Sequence, residues 1–130
     1  MNDSGQSTRR LLRGRRAETR GRDAETIAAD ALLREGWTVI ARRARTEAGE
    51  IDLIAERAGL LAFIEVKARP SLTEAAYALG PKQRQRLMLT AEAWLAGNPG
   101  HGAAGMRFDV LIVAADGTTR RIADAFRIGD

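Results

Sequence analysis

Two carboxylates and a lysine, Asp52, Glu65 and Lys67, are the residues of this 130-residue chain whose types and spacing best suit chemistry on a phosphodiester. Asp52 stands between Ile51 and Leu53 in a segment, Glu50 to Glu56, that reads as a strand. Aspartate is depleted in strands because it gains nothing from a half-buried pleat, so one in this position needs a reason. The plainer reason is an edge strand with one wet face; the sharper one is a carboxylate held for a reaction. Side chains alternate along a strand, which predicts that Glu50, Asp52 and Ile54 share one side.

The next strand, Leu60 to Val66, separates Leu61, Phe63, Glu65 and Lys67 from Leu60, Ala62, Ile64 and Val66. One face is apolar throughout, and the other turns charged only at its end. Glu65 and Lys67 are therefore neighbours at the C-terminal end of what reads as a central strand. A lone Glu-x-Lys triplet is weak, arising by chance roughly once per few hundred residues. Its weight comes from following a strand aspartate across a short turn. The chain also holds 19 arginines but only two lysines, Lys67 and Lys82. A lysine offers a compact ammonium whose pKa responds to burial, a role arginine cannot fill. The competing account is that two of the 21 basic residues simply happen to be lysine.

Hydrolysis of a phosphodiester calls for a divalent ion that polarises the phosphoryl oxygen and lowers the pKa of an attacking water. Magnesium favours carboxylate oxygens and keeps several waters, so Asp52, Glu65 and the Val66 carbonyl make a sufficient set for Mg2+ or Mn2+. Lys67 beside them would orient the water and offset charge on the phosphorane. Glu25, at the rim of a helix stripe, could reach the same ion through water, although a surface glutamate is the commoner fate. The basic, amide-rich helix start Lys82-Gln83-Arg84-Gln85-Arg86 could hold phosphates, or be a solvated face. Asp109 is a second strand aspartate to which no role can be given.

These residues need a frame. Ala24, Ile27, Ala28, Ala31 and Leu32 have the spacing of an amphipathic helix over residues 23–35, with Gly36 as its stop. Strands are expected from Trp37 to Arg42, over Glu50–Glu56 and Leu60–Val66, then from Arg107 to Ala115 and from Thr119 to Ala123. A second helix should run from Pro81 to Leu95 with Leu87, Ala91, Trp94 and Leu95 inward. The order helix, three strands, helix, two strands predicts a mixed α/β domain.

Composition narrows the partners. The chain is long enough for one core, and 45% of it is apolar. It has no cysteine, so disulfides and thiolate zinc sites are excluded, and a reducing compartment fits. The single histidine, His101, sits between two glycines, which argues against a histidine triad or a histidine-based zinc cluster. No apolar run approaches the roughly 20 residues of a membrane span, and no signal-peptide core follows the first arginines, so a cytoplasmic location is expected. The net charge of +4 is unevenly placed. Residues 1–22 hold seven arginines, Arg9, Arg10, Arg13, Arg15, Arg16, Arg20 and Arg22, against Asp3 and Glu18, a net +5; the other 14 basic and 15 acidic side chains leave the body at −1. Residues 1–20 are thus expected to be a disordered basic arm suited to phosphates, on a domain spanning residues 21–130.

With Glu25, Gly49-Glu-Ile-Asp-Leu-Ile54, Phe63-Ile-Glu-Val-Lys67, Lys82, Arg107-Phe-Asp-Val110 and Ala125-Phe126 in this order, the chain resembles the YraN-type family of uncharacterised bacterial proteins over about residues 21–126. That family is similar in pattern to archaeal Holliday-junction resolvases and the PD-(D/E)-x-K nucleases. The resemblance implies a restriction-endonuclease-like fold, with Asp52 and Glu65 as metal ligands, Lys67 as the catalytic lysine and Glu25 as the helix-1 acid. Arg43 departs from the pattern, where an asparagine is common, and the stretch from Arg69 to Lys82 is short and lacks an expected glycine.

Three readings follow. The first is a metal-dependent DNA endonuclease, acting on branched or damaged substrate, with a homodimer plausible by analogy with resolvases. The second is a non-catalytic nucleic-acid-binding module, and the third an assembly partner that kept the fold without the ligand.

Overall fold

The computed structural model describes residues 23–72 and 79–126. The basic arm, with Arg9, Arg10, Arg13, Arg15 and Arg16, lies outside the described residues. The first helix, α1, covers residues 23–34, and a five-stranded sheet follows in the order β1 (Thr38–Thr46), β2 (Gly49–Arg57), β3 (Leu60–Arg69), β4 (Met106–Ala114) and β5 (Thr119–Phe126). Helix α2 (Pro81–Gly97) connects β3 to β4, which run parallel; every other neighbouring pair is antiparallel. This is the mixed α/β core expected from the element order. Strands β1 and β5 run longer than their apolar runs suggest, because ladder hydrogen bonds to β2 and β4 continue past the last apolar residue.

A helix covers each face of the sheet. The α1 stripe (Ala24, Ala28, Ala29, Leu32) packs on Trp37, Leu53, Ala55, Ala62, Ile64, Leu111 and Val113. Leu87, Ala91 and Trp94 of α2 pack on Ile51, Ile54, Leu61, Phe63, Phe108, Val110 and Ile112. Both faces of β3 and β4 are covered, which is why their sequences read as near-continuous apolar runs. Trp94 meets Phe63 edge-on at 6.0 Å, fixing α2 against β3. The turn Thr46–Gly49 holds the β1–β2 hairpin: Thr46 Oγ1 accepts the Ala48 N–H at 3.0 Å. A Cβ at Gly49 would lie 2.9 Å from Thr90 Oγ1, so glycine lets this hairpin tip lie against α2.

Asp109, which the sequence left without a role, is buried in β4 and ties β4 to β5 and, through Arg121, to the end of α1. It accepts the Asp124 N–H at 2.8 Å and pairs with Arg107 at 3.0 Å and Arg121 at 3.3 Å. Arg121 also reaches Glu35 beyond the end of α1 at 2.6 Å. The guanidiniums of Arg57, Arg107 and Arg121 lie 4.7, 5.1 and 5.4 Å from the Trp37 ring, closing that end of the core. Asp109 sits where the β4–β5 register shifts, and its carboxylate takes the N–H that the shift would otherwise strand.

Two stability predictions follow from this frame. Asp109→Ala leaves two inward guanidiniums and a backbone donor without their acceptor, and should cost about 3–5 kcal/mol in urea unfolding. In the β2–β3 turn, Ala58 has φ +51° and Gly59 φ +80°, the signs of a type I′ turn that favours Asn-Gly. Ala58→Asn should therefore raise stability by about 1 kcal/mol, read as a higher Tm; an unchanged or lower Tm would contradict the strain assigned here.

Candidate metal-binding and catalytic site

Strand β2 pairs with β3 from Arg57↔Leu60 as far as Leu53↔Ile64, and then the two part. Asp52 stands at the fork. Its Oδ2 accepts the Val66 N–H at 2.8 Å, a side chain taking the place of the lost ladder bond. The N–H and C=O of one strand residue point to the same side, so the Val66 carbonyl faces this fork as well.

The expected alternation fails at this point. Ile51 and Ile54 both lie on the α2 side, while Leu53 and Ala55 lie on the α1 side, so the strand changes face at Asp52. Glu50, Asp52 and Ile54 therefore do not form the regular row that period two predicts. The cause is on β1. Opposite Asp52 stands Arg43, whose φ of +50° is a left-handed conformation inside a strand. Ala41 and Ala44, on either side of it, both join the α2-side cluster, so β1 changes face with β2. The paired kink turns the Asp52 side chain towards Val66, near the end of β3.

On β3 the alternation holds: Phe63 lies on the α2 side and Ile64 on the α1 side, which carries Glu65 and Lys67 to the α2 side. Glu65 Oε2 is 3.5 Å from Lys67 Nζ and accepts Gln83 Nε2 at 2.9 Å. Gln83, expected to face phosphates, instead orients Glu65. It does so from the first turn of α2, where Pro81 opens the helix after Gly80, with neither a side-chain cap nor an acidic residue. Lys82 is exposed beside it and Arg84 half-buried.

Asp52 and Glu65 are close enough for the Glu65 charge to act on the Asp52 carboxyl. Burial first, and then the Glu65 charge, push the Asp52 carboxyl up to about 7, against the opposing pull of the Val66 N–H. Two half-buried carboxylates, Glu65 acting on Asp52, form a donor set whose repulsion a divalent cation would relieve, and hard oxygen ligands fit magnesium or manganese. With the Val66 carbonyl, these are the groups that the sequence singles out for a divalent ion, and the fork brings them to one place. Glu25, by contrast, is held by Arg43, whose Nε lies 3.0 and 3.1 Å from its two oxygens. Among the described residues no group of three acidic or histidine side chains stands ready for a metal. Sequence reasoning missed Arg43 as a member of the site, noting only its departure from pattern. No local signal marks it, since its partner Glu25 lies on another element.

His101 is far from this chemistry. Its Nδ1–H donates to the Glu56 carboxylate at 3.0 Å, and the Gly102 N–H donates to the same carboxylate at 2.8 Å, clasping the α2–β4 loop to β2. Among the described residues no helix is long and apolar enough to cross a membrane.

The Asp52 shift has a measurable sign. Its folded pKa lies above the unfolded value, so the folded state binds the extra proton and stability falls as pH rises towards and through about 7. Asp52→Asn keeps an acceptor for Val66 but cannot ionise. Its Tm relative to the wild type should therefore rise between about pH 4 and about pH 7 and level off above that, and a pH-independent difference would contradict the shift.

Relatives place this site in a family. The model of the Uncharacterised protein family UPF0102 matches residues 24–113, a span that includes Glu25, Asp52, Glu65, Lys67 and Gln83. A UPF0102 protein of Granulibacter bethesdensis is 53% identical over 130 residues, covering 99% of this chain and 82% of the relative. Others are a UPF0102 protein of Rhodopseudomonas palustris, 46% identical over 106 residues with 82% of each chain covered, and one of a Bradyrhizobium species, 48% identical with 82% and 75% covered. On the family match and these identities, the chain belongs to the UPF0102 family.

Proposed function

We propose that the protein is a divalent-metal-dependent endonuclease that hydrolyses DNA phosphodiesters at the fork between β2 and β3. The observation that carries this reading is the junction at the fork of Asp52, anchored on the Val66 N–H at 2.8 Å, with Glu65, whose Oε2 is 3.5 Å from Lys67 Nζ. Asp52, Glu65 and the Val66 carbonyl would hold Mg2+ or Mn2+, which supplies Lewis-acid polarisation of the phosphate and a water of lowered pKa. The chain's own groups do the rest. The Val66 N–H fixes the Asp52 carboxylate, and the Gln83 amide fixes that of Glu65. Lys67, on the same side of β3 as Glu65, positions its ammonium against the attacking water and the negative charge that builds on the phosphorane. Lys82 and Arg84, at the start of α2, are placed to meet the flanking phosphates, and the arginines of residues 1–22 would add sequence-independent affinity. The cytoplasm and a homodimer fit this reading.

The test is cleavage of labelled linear and four-way-junction DNA with Mn2+ or EDTA, by the wild type, Lys67→Ala and Glu65→Ala. Metal-dependent cutting should fall by about a hundredfold or more in both variants. Cutting retained by Glu65→Ala would remove the assignment. If no protein cuts, but binding is salt-sensitive and survives Asp52→Ala, the fold serves as a non-catalytic nucleic-acid module instead.

A further inference from the structure

We propose that Arg43 is a tethered cation that withholds Glu25 from the site, so that a divalent ion gains its third carboxylate only when Arg43 lets go. The proposal rests on the metal-dependent reading above and adds a regulatory step to it.

Arg43 is held in place from two directions. Its Nε bridges both oxygens of Glu25 at 3.0 and 3.1 Å, and its backbone is kept at φ +50° directly opposite Asp52. Left-handed geometry is unfavourable for an arginine and persists only where the surroundings over-determine it. Here the surroundings are acidic. The hydrogen bond and charge of Glu25, and then the charges of Glu50 and Asp52, raise the Arg43 pKa. The guanidinium thus occupies both carboxylate oxygens of Glu25 on α1.

The consequence lies in ligand number. Glu25, Asp52 and Glu65 come from α1, β2 and β3, yet Glu25 is engaged by an internal cation and only Asp52 and Glu65 are left to meet an ion. A third carboxylate would give a hard cation a more complete oxygen shell. Release is feasible on the Arg43 side: its side chain is 49% exposed, so the guanidinium can turn into water without being stripped of hydration. Glu25 is the more enclosed partner, at 17%, and stays at the lip of the site when the pair opens.

The test measures Mn2+ binding, from free Mn2+ by electron paramagnetic resonance, with no substrate and no turnover. The proteins are the wild type, Arg43→Asn, Arg43→Gln, Glu25→Gln, the Arg43→Asn/Glu25→Gln double variant and Asp52→Asn. Asparagine tolerates the left-handed backbone at position 43, and glutamine keeps most of the arginine's length, so the two replacements perturb the strand differently. Both should bind Mn2+ about tenfold tighter than the wild type. Glu25→Gln alone should change little, and the gain should vanish in the double variant. Equal or weaker binding by both position-43 variants overturns the proposal. A gain that persists without Glu25 overturns it too, since it would reflect only the loss of a positive charge. Binding that depends on Asp52 but ignores position 43 refutes the tether while leaving the metal site standing. Absence of Asp52-dependent binding in every variant refutes the metal site and the tether together.

Discussion

The hydrogen bond from the Val66 N–H to the Asp52 carboxylate is the constraint on which the site depends. A strand leaving a sheet strands the donors of its former neighbour, and each buried donor without an acceptor is costly. By putting a carboxylate at the point of divergence, the chain satisfies that donor and at the same time brings a negative charge beside Glu65. The bond lowers the proton affinity of Asp52, but burial and the neighbouring carboxylate outweigh it. The sheet's own hydrogen-bond accounting thus places the first acid, beside a second carboxylate whose charge raises its proton affinity.

Asp109 shows the same device used for stability alone. Both aspartates stand at an irregularity of strand pairing, and both accept a backbone N–H across it, from Val66 in one case and Asp124 in the other. Their surroundings differ. Asp109 is sealed beneath two arginines that neutralise it, so its charge is committed to the core. Asp52 is half-buried and faces another acid. Whether a strand carboxylate is locked into the core or left open beside another acid is decided by what faces it, not by its place in the strand.

The two cations around the site divide the work by their chemistry. Lys67 presents a compact ammonium to Glu65 from the same strand, where the strand fixes its direction. Arg43 lies across the sheet with a longer, planar head that can hold both oxygens of one carboxylate. Gln83 supplies a neutral donor from α2, so Glu65 is oriented by one charged and one uncharged partner. Three separate elements thereby converge on the end of β3.

Much of this was legible in the residues themselves. Periodicity alone marks the helices and strands, because burying an apolar face imposes a period of 3.6 or 2 on any chain. The change from apolar to charged along Leu60–Lys67 locates the end of the central strand and pairs Glu65 with Lys67, since side chains two apart must share a face. What the linear chain does not contain is the exception to those periods. Asp52 leaves its row because Arg43, nine residues away and on another strand, takes a left-handed conformation opposite it. Gln83 turns to Glu65 because Trp94 and Leu87 set α2 against the sheet, and Asp109 has a role only once β5 returns beside β4. Period and polarity are local, so the sequence by itself determined the elements and the candidate acids and lysine. Kinks, ion pairs and facing carboxylates depend on distances between elements, and those only the packed sheet decided.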